Sequence, residues 1–278
     1  MVTAAGTSVK FRITFGGGPA ALSGVTCRPL PGANGLLFEG DFADMVRPVD
    51  IHAVRTRLVC LENTHNRGGG TIHMPAAVRP ISRWAKQHGI GMHLYGARIW
   101  NAIAETGIPA ATWADGFDTV SVCFSKGLGA PAGSALVGPR ELLVRAHRVR
   151  KMLGGGLRQA GVLAAAAQHA LDHHLRRLAE DHDHARRLAR GLRALPGLTV
   201  SEPQTNIVFV ELSADRAAML QARLPSAGVL VGATTVVTTG ATTGAAGPAQ
   251  ARRLRLVTHL DISGDDVARA VVAFAAAL

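Results

Sequence analysis

Between residues 57 and 137 short apolar runs alternate with stretches of helical pattern, and this alternation restricts the fold more than any other feature. Arg57 to Glu62 (RLVCLE) is β-branched and apolar enough for a buried strand. Ala76 to His88 follows with helical spacing and carries Pro80 in its first turns. Gly89 to Tyr95 is the next strand candidate, and Arg98 to Glu105 begins another helix. Thr119 to Phe124 (TVSVCF) is a strong strand, and Gly133 to Val137 a short one. Strands separated by helices predict an α/β domain whose mostly parallel sheet is flanked by helices. In such sheets ligands collect at the carboxyl ends of the strands.

From Leu157 the rhythm changes. Leu171, Leu175, Leu178, Ala185, Leu188, Leu192 and Leu195 recur at helical steps, which predicts a long amphipathic helix with a basic, histidine-rich outer face. Pro196-Gly197 ends it. Asn206 to Glu211 and Arg253 to Thr258 read as strands, and Arg216 to Leu224 and Asp265 to Leu278 as helices. Thr234 to Gly247, rich in Thr, Gly and Ala, reads as a strand plus a flexible loop. The expected organisation is a large α/β domain over 1–178 and a smaller C-terminal α+β domain over 179–278.

Composition removes several function classes. Hydrophobic residues make up 47% and charged residues 18%, which excludes a disordered chain. The net charge of +11 raises the question of nucleic acid. The densest basic stretch (Arg176-Arg177, Arg186-Arg187 to Arg193) is interleaved with Asp172, Glu180, Asp181 and Asp183 and lacks aromatic partners. It reads as a solvated helix face, so no nucleic-acid partner is expected. Three distant cysteines (Cys27, Cys60, Cys123) exclude a disulfide scaffold and a cysteine zinc site. His169 and His173 share a helix face but lack an HExxH-type carboxylate, so no metal site is expected. Without an 18-residue apolar run or a secretory leader, no membrane contact and a cytoplasmic location are expected.

Only four of the 30 basic residues are lysines: Lys10, Lys86, Lys126 and Lys151. Lys126 ends the strongest strand and opens a glycine-rich turn, Ser125-Lys126-Gly127-Leu128-Gly129. An ordinary strand-end lysine is the plain reading. A lysine desolvated at that rim would instead be a competent amine nucleophile, able to form a Schiff base with a carbonyl compound such as pyridoxal phosphate (PLP).

The stretch from Asp118 to Gly138 (DTVSVCFSKGLGAPAGSALVG) resembles the cofactor-lysine motif of the PLP-dependent threonine aldolases, of the β-eliminating lyase group with the aspartate-aminotransferase type of fold (PLP fold type I). Four more segments are similar to family motifs, in family order. They are Leu61 to Asn66 (LENTHN), Gly96 to Ala102 (GARIWNA), Arg150 to Gly161 (RKMLGGGLRQAG) and Arg255 to Asp261 (RLVTHLD). The resemblance implies retro-aldol cleavage of a β-hydroxy-α-amino acid to glycine and an aldehyde through a Lys126 aldimine. It implies that Lys126 later moves a proton, and that His65 is a general base or positions a water near the substrate hydroxyl. It implies that Arg98 and Arg255 hold the substrate carboxylate, since a guanidinium fork fits a carboxylate. Arg158 and Lys151 would reach the cofactor phosphate. The implied partners are a small amino acid and further copies of the chain, as a homodimer or homotetramer.

The chain also departs from the family pattern. Where the family has the aspartate that pairs with the pyridine nitrogen, this chain has its one tyrosine, Tyr95, which is neutral at pH 7. The resemblance begins at about Ala20, and Met1 to Gly18 holds neither the family's phosphate-binding turn nor its ring-stacking histidine. The expectation is a threonine aldolase without the family's N-terminal segment. The alternative is a degenerate or truncated member, weak or inactive in catalysis, that binds a partner subunit or a small ligand.

Overall fold

The apolar runs at 57–62, 89–95 and 119–124 form the centre of a six-stranded sheet in the computed structural model, which describes residues 2–3, 17–47, 50–232, 235–236 and 251–278. The chain divides into two units, residues 1–178 and 179–278. In chain order the first contains β1 (Val2–Thr3), α1 (Gly18–Ser23), β2 (Arg28–Pro29), β3 (Leu58–Glu62), α2 (Pro75–Gln87), β4 (Gly91–Gly96), α3 (Ile99–Thr106), α4 (Ala110–Ala114), β5 (Thr119–Cys123), β6 (Ser134–Val137), α5 (Arg140–Met152) and α6 (Ala160–His174). The strand order is β2-β1-β3-β4-β5-β6. All neighbours are parallel except β6, which runs antiparallel to β5 at the edge.

Side-chain alternation divides the sheet into two faces. Val59, Leu61, Met92, Leu94, Val120 and Val122 are buried. Val59, Leu61 and Met92 pack with Val78, Ile81 and Trp84 of α2, and Leu94, Val120 and Val122 with Ile99 and Ala102 of α3 and Trp113 of α4. The opposite face carries Cys60, Glu62, His93, Tyr95, Thr119, Ser121 and Cys123, in register across β3, β4 and β5. A polar row on a central sheet contributes nothing to a hydrophobic core, so it marks the face available for function.

The second unit contains α7 (Leu178–Arg193, its first residue belonging to the first unit), β7 (Thr199–Val200), β8 (Ile207–Leu212), α8 (Ala214–Arg223), β9 (Thr235–Val236), β10 (Arg252–Val257) and α9 (Gly264–Ala277). Its antiparallel sheet has the order β7-β8-β10-β9. Val208, Val210, Leu254 and Leu256 meet Leu188, Leu192, Leu220 and Phe274 in its core. Ser263 caps α9 reciprocally with Asp266.

The expected long helix after Leu157 is two helices, α6 and α7, separated at 175–177. The apolar stripe continues across the break and passes from one core to the other only later, within α7. Ala170 and Leu178 pack on Leu128 and Ala130, whereas Ala185, Leu188, Ala189 and Leu192 belong to the second unit's core. Helix α5 was not expected. Leu142, Ala146, Val149 and Leu153 recur at helical steps, but the sequence reading passed over them, and the residues of α5 are all exposed or half-buried, so the stripe faces no core of this unit. Of the Thr234 to Gly247 stretch, β9 is described and the remainder lies outside the described residues.

Candidate active site

Because β3, β4 and β5 are parallel, the segments that leave them emerge at one edge of the sheet. That edge receives His65 after β3, Tyr95 and Arg98 at the end of β4, and Lys126 after β5. The lysine turn is tied down at several points. Gly129, at φ +75°, donates its N–H to the Lys126 carbonyl at 2.9 Å. Ala130 N–H bonds the Phe124 carbonyl at 3.1 Å. Trp100 of α3 donates from Nε1 to the Cys123 carbonyl at 2.9 Å and stacks on Phe124. His174 Nδ1 lies 2.7 Å from the Leu128 carbonyl, and Leu128 itself is fully buried. Lys126 stands out from this anchored turn as an exposed side chain, whereas the nucleophile reading of the sequence had a desolvated one.

Glu62, Tyr95 and Ser121 are direct cross-strand partners and form the row nearest that edge. Tyr95 is half-buried. Burial, then the Cys123 and Glu62 groups, push its phenol above the ordinary value, against the pull of Arg98. The phenol is therefore protonated and uncharged throughout the neutral range. One pleat back, His93 Nδ1 lies 2.8 Å from Thr119 Oγ1 and Nε2 lies 3.3 Å from Ser121 Oγ. Burial holds its imidazole below the usual range. Behind it the Cys60 thiol, pushed up to about 12 by burial, is inert at physiological pH.

His65 is enclosed. It is 1% exposed, and its Nε2 is 3.7 Å from Glu62 Oε2, with Glu62 3% exposed. The Asn66 N–H donates to Glu62 Oε1 at 3.3 Å. The backbone of His65 is held in both directions, donating to the Thr71 carbonyl at 2.8 Å and accepting from Gly70 at 2.9 Å. Residues 32–37 lie across the ring. Gly35 has φ +82°, and a Cβ there would stand 2.1 Å from His65 Nδ1. Thr71 Oγ1 donates to the Asn34 carbonyl at 2.6 Å.

Three sequence-derived residues are not gathered at this edge by the first unit's sheet. Lys151 and Arg158 are exposed, on the last turn of α5 and in the loop before α6. Arg255 is half-buried in β10 of the second unit, paired with Phe209. The sequence reading missed Glu62 and Gly35, although Glu62 lies within LENTHN and Gly35 within a glycine-containing loop. Only the cage around His65 reveals them. Among the described residues no group of three His, Cys, Asp or Glu side chains could hold a metal. Nor is any helix among them long and apolar enough to cross a membrane.

The sequence model of one family, Beta-eliminating lyase, matches residues 9–215. The low specificity L-threonine aldolase of Escherichia coli K12 is 38% identical over 253 residues, 91% of this chain and 70% of that protein. The probable low-specificity L-threonine aldolase 2 of Arabidopsis thaliana is 36% identical over 270 residues, 94% of this chain and 72% of its own. A putative L-allo-threonine aldolase of Listeria monocytogenes superposes with a TM-score of 0.79 at 23% identity, over 100% of this chain and 75% of that one. A parallel sheet that presents a lysine turn at its carboxyl edge is the architecture of PLP fold type I, and this chain belongs to the beta-eliminating lyase family. By class it is a PLP-dependent lyase of the threonine aldolase kind.

The donor set fits that cofactor. A primary amine at Lys126 suits an aldehyde, and a half-buried phenol at Tyr95 suits a ring nitrogen. The Thr64 hydroxyl, in a residue 1% exposed at the end of β3, has no hydrogen-bond partner among the described residues. A ligand group could satisfy it. The departure is the neutral side chain at 95.

Proposed function

We propose that the chain cleaves a β-hydroxy-α-amino acid to glycine and an aldehyde, with Lys126 as the covalent anchor of PLP. The observation that carries this reading is the exposed amine of Lys126, on an anchored glycine turn at the edge that also receives Tyr95, Arg98 and His65. When bound, the cofactor supplies an aldehyde for the amine and a ring that takes up the electron pair released at Cα. Lys126 Nζ binds that aldehyde and afterwards carries the proton that Cα receives. Arg98, half-buried at the start of α3, forks the substrate carboxylate. Arg255 carries the same proposed task on the strength of its motif. Lys151 and Arg158 bind the phosphate by charge. His65 takes the β-hydroxyl proton through a bridging water, since its ring is buried. Loss of that proton leaves a carbonyl at Cβ as the Cα–Cβ bond breaks.

Exposed apolar side chains along one side of α5 and at its C-cap (Leu142, Val149 and Leu153) support self-association into a dimer or tetramer. A sedimentation mass of one chain at micromolar concentration would refute that association. Mixing the purified chain with PLP tests the main reading. An absorbance band at the edge of the visible, lost in Lys126→Ala, together with glycine release from threonine, is expected. A folded protein without the band would leave the alternative, a non-catalytic member that binds a partner subunit or a small ligand.

A further inference from the structure

The wall around His65 assigns a task to Glu62 that goes beyond the roles above. Glu62 and His65 are 3% and 1% exposed and their charged ends are 3.7 Å apart. A carboxylate held that close in a water-poor setting stabilises the protonated imidazole and favours a proton on the nitrogen that faces it. The facing nitrogen is Nε2, while Nδ1 is the ring atom against Gly35. The ring has little freedom to turn away, because its backbone is bonded on both sides and the 32–37 segment closes over it. Glu62 is itself restrained by the Asn66 N–H.

Other titratable groups stand near the pair: His73, Tyr95 and, acting on Tyr95, Arg98. His73, from the limb that returns after Thr71, acts electrostatically on His65. It is buried, and its ring bonds the Leu37 backbone. Burial holds its pKa down at about 4, so it is neutral where the enzyme works. Beyond Glu62 stands the Tyr95 phenol of β4, uncharged as described above. The 32–37 segment presents backbone, Asn34 and apolar side chains only.

We propose that Glu62 is a positioning residue for His65: its carboxylate fixes the imidazole with the proton on Nε2 and raises the basicity of the ring, while residues 32–37 form the wall that keeps the pair closed. The catalytic value of the pair rests on the proposed role of His65 as base, which also requires the 32–37 wall to open at Nδ1, the nitrogen left to accept a proton, but the existence of the pair rests on neither.

The experiment uses the full chain without added cofactor and reads the imidazole nitrogens by two-bond proton–nitrogen NMR. In the unsubstituted protein the neutral His65 is expected with its proton on Nε2. Glu62→Gln keeps an amide oxygen for the Asn66 N–H but removes the charge, and it is expected to lower the His65 titration midpoint by about 1–3 pH units. The loaded enzyme supplies a second reading. The acid limb of kcat/KM for aldol cleavage should move to lower pH in Glu62→Gln, in step with the NMR midpoint, with KM little changed. A proton on Nδ1 in the unsubstituted protein, or a midpoint that Glu62→Gln leaves in place, overturns the proposal. Should Glu62→Gln fail to fold, the proton position in the unsubstituted protein decides alone. If the NMR behaves as expected while His65→Ala cleaves as fast as the unsubstituted enzyme, the pair stands and the assignment of His65 as base falls.

Discussion

Gly35→Ala places a methyl group where the structure has no room for one. The added Cβ would stand 2.1 Å from Nδ1, 2.2 Å from Cγ and 2.5 Å from Cε1 of His65. Ordinary contact between such atoms begins near 3.5 Å, so the ring would have to shift by more than about an ångström. It cannot do so freely, with its backbone bonded to Thr71 and Gly70 and with Glu62 on its other side. Overpacking of this kind costs about 1–3 kcal/mol. The position also has φ +82°, which costs an L-residue about 1–2 kcal/mol more. The alternative is that the 32–37 segment lifts off. That breaks the Thr71–Asn34 and His73–Leu37 hydrogen bonds, about 1 kcal/mol each, and exposes Leu37, which is fully buried and contributes about 1.5–3 kcal/mol. Both routes cost a similar amount, so the expected loss is about 2–5 kcal/mol. Urea unfolding followed by circular dichroism measures it. With a slope of about 2 kcal/mol/M the midpoint of the first unit should fall by about 1–2.5 M. Amide exchange at His65 should accelerate in parallel, because its N–H bonds Thr71 inside the same wall. A variant that unfolds within about 0.5 kcal/mol of the unsubstituted protein would refute this account of the cage.

Tyr95→Asp supplies a charged partner for a ring nitrogen. A charge-assisted hydrogen bond exceeds a neutral one by about 1–1.5 kcal/mol, so aldol cleavage should rise by roughly tenfold, read as glycine release. An unchanged rate counts against the charge argument. His73 gives a pH dependence of stability. Its pKa falls from 6.5 to about 4 on folding, so below pH 6.5 the unfolded chain binds a proton that the folded chain refuses. Stability should therefore decline as the pH drops from 6.5 to about 4 and level off below, by about 3 kcal/mol from this residue. His73→Gln should flatten the urea midpoint across that window, and a profile as steep as that of the unsubstituted protein would refute the assignment.

The strands at 57–62, 89–95 and 119–124 were legible because each runs apolar or alternates between turn signals, and a parallel sheet needs such runs. Lys126 was legible because it interrupts that pattern at a strand end. Helix α5 was missed although Leu142, Ala146, Val149 and Leu153 recur at helical steps, because basic residues dominate the stretch and its residues are all exposed or half-buried. The break at 175–177 was hidden for a different reason. Helical spacing persists across it, and Ala170 before it and Leu178 after it pack in the same cluster, so no change of apolar pattern marks it. In the site, motif spacing pointed to His65 but not to its surroundings. Gly35 is 30 positions away, and its importance lies in a left-handed φ and a contact that no local pattern encodes. The exposure of Lys126 belongs to the same class, since it depends on how the turn is anchored by Trp100 and His174.

Tyr95 has a consequence for how charge is divided at the edge of the sheet. The row nearest that edge holds Glu62, Tyr95 and Ser121, of which Glu62 is the one carboxylic acid. Glu62 is turned toward His65 and the Asn66 N–H, and it is buried there. The one carboxyl group of the row is thus committed to the imidazole. A carboxylate at 95 would be its direct cross-strand neighbour, and like charges so placed repel. In this chain the phenol avoids that repulsion and leaves the full effect of Glu62 on His65. The same substitution makes the partner of the ring nitrogen neutral and so weakens electron withdrawal at Cα. Basicity at His65 and withdrawal at the ring therefore respond in opposite directions to what stands at 95. Tyr95→Asp should raise the rate and, through repulsion that disfavours the Glu62 carboxylate, move the His65 titration downward, whereas combined with Glu62→Gln it should raise the rate and take the midpoint lower still. A double variant whose midpoint falls no further than that of Tyr95→Asp alone would show that residue 95, and not Glu62, governs the imidazole.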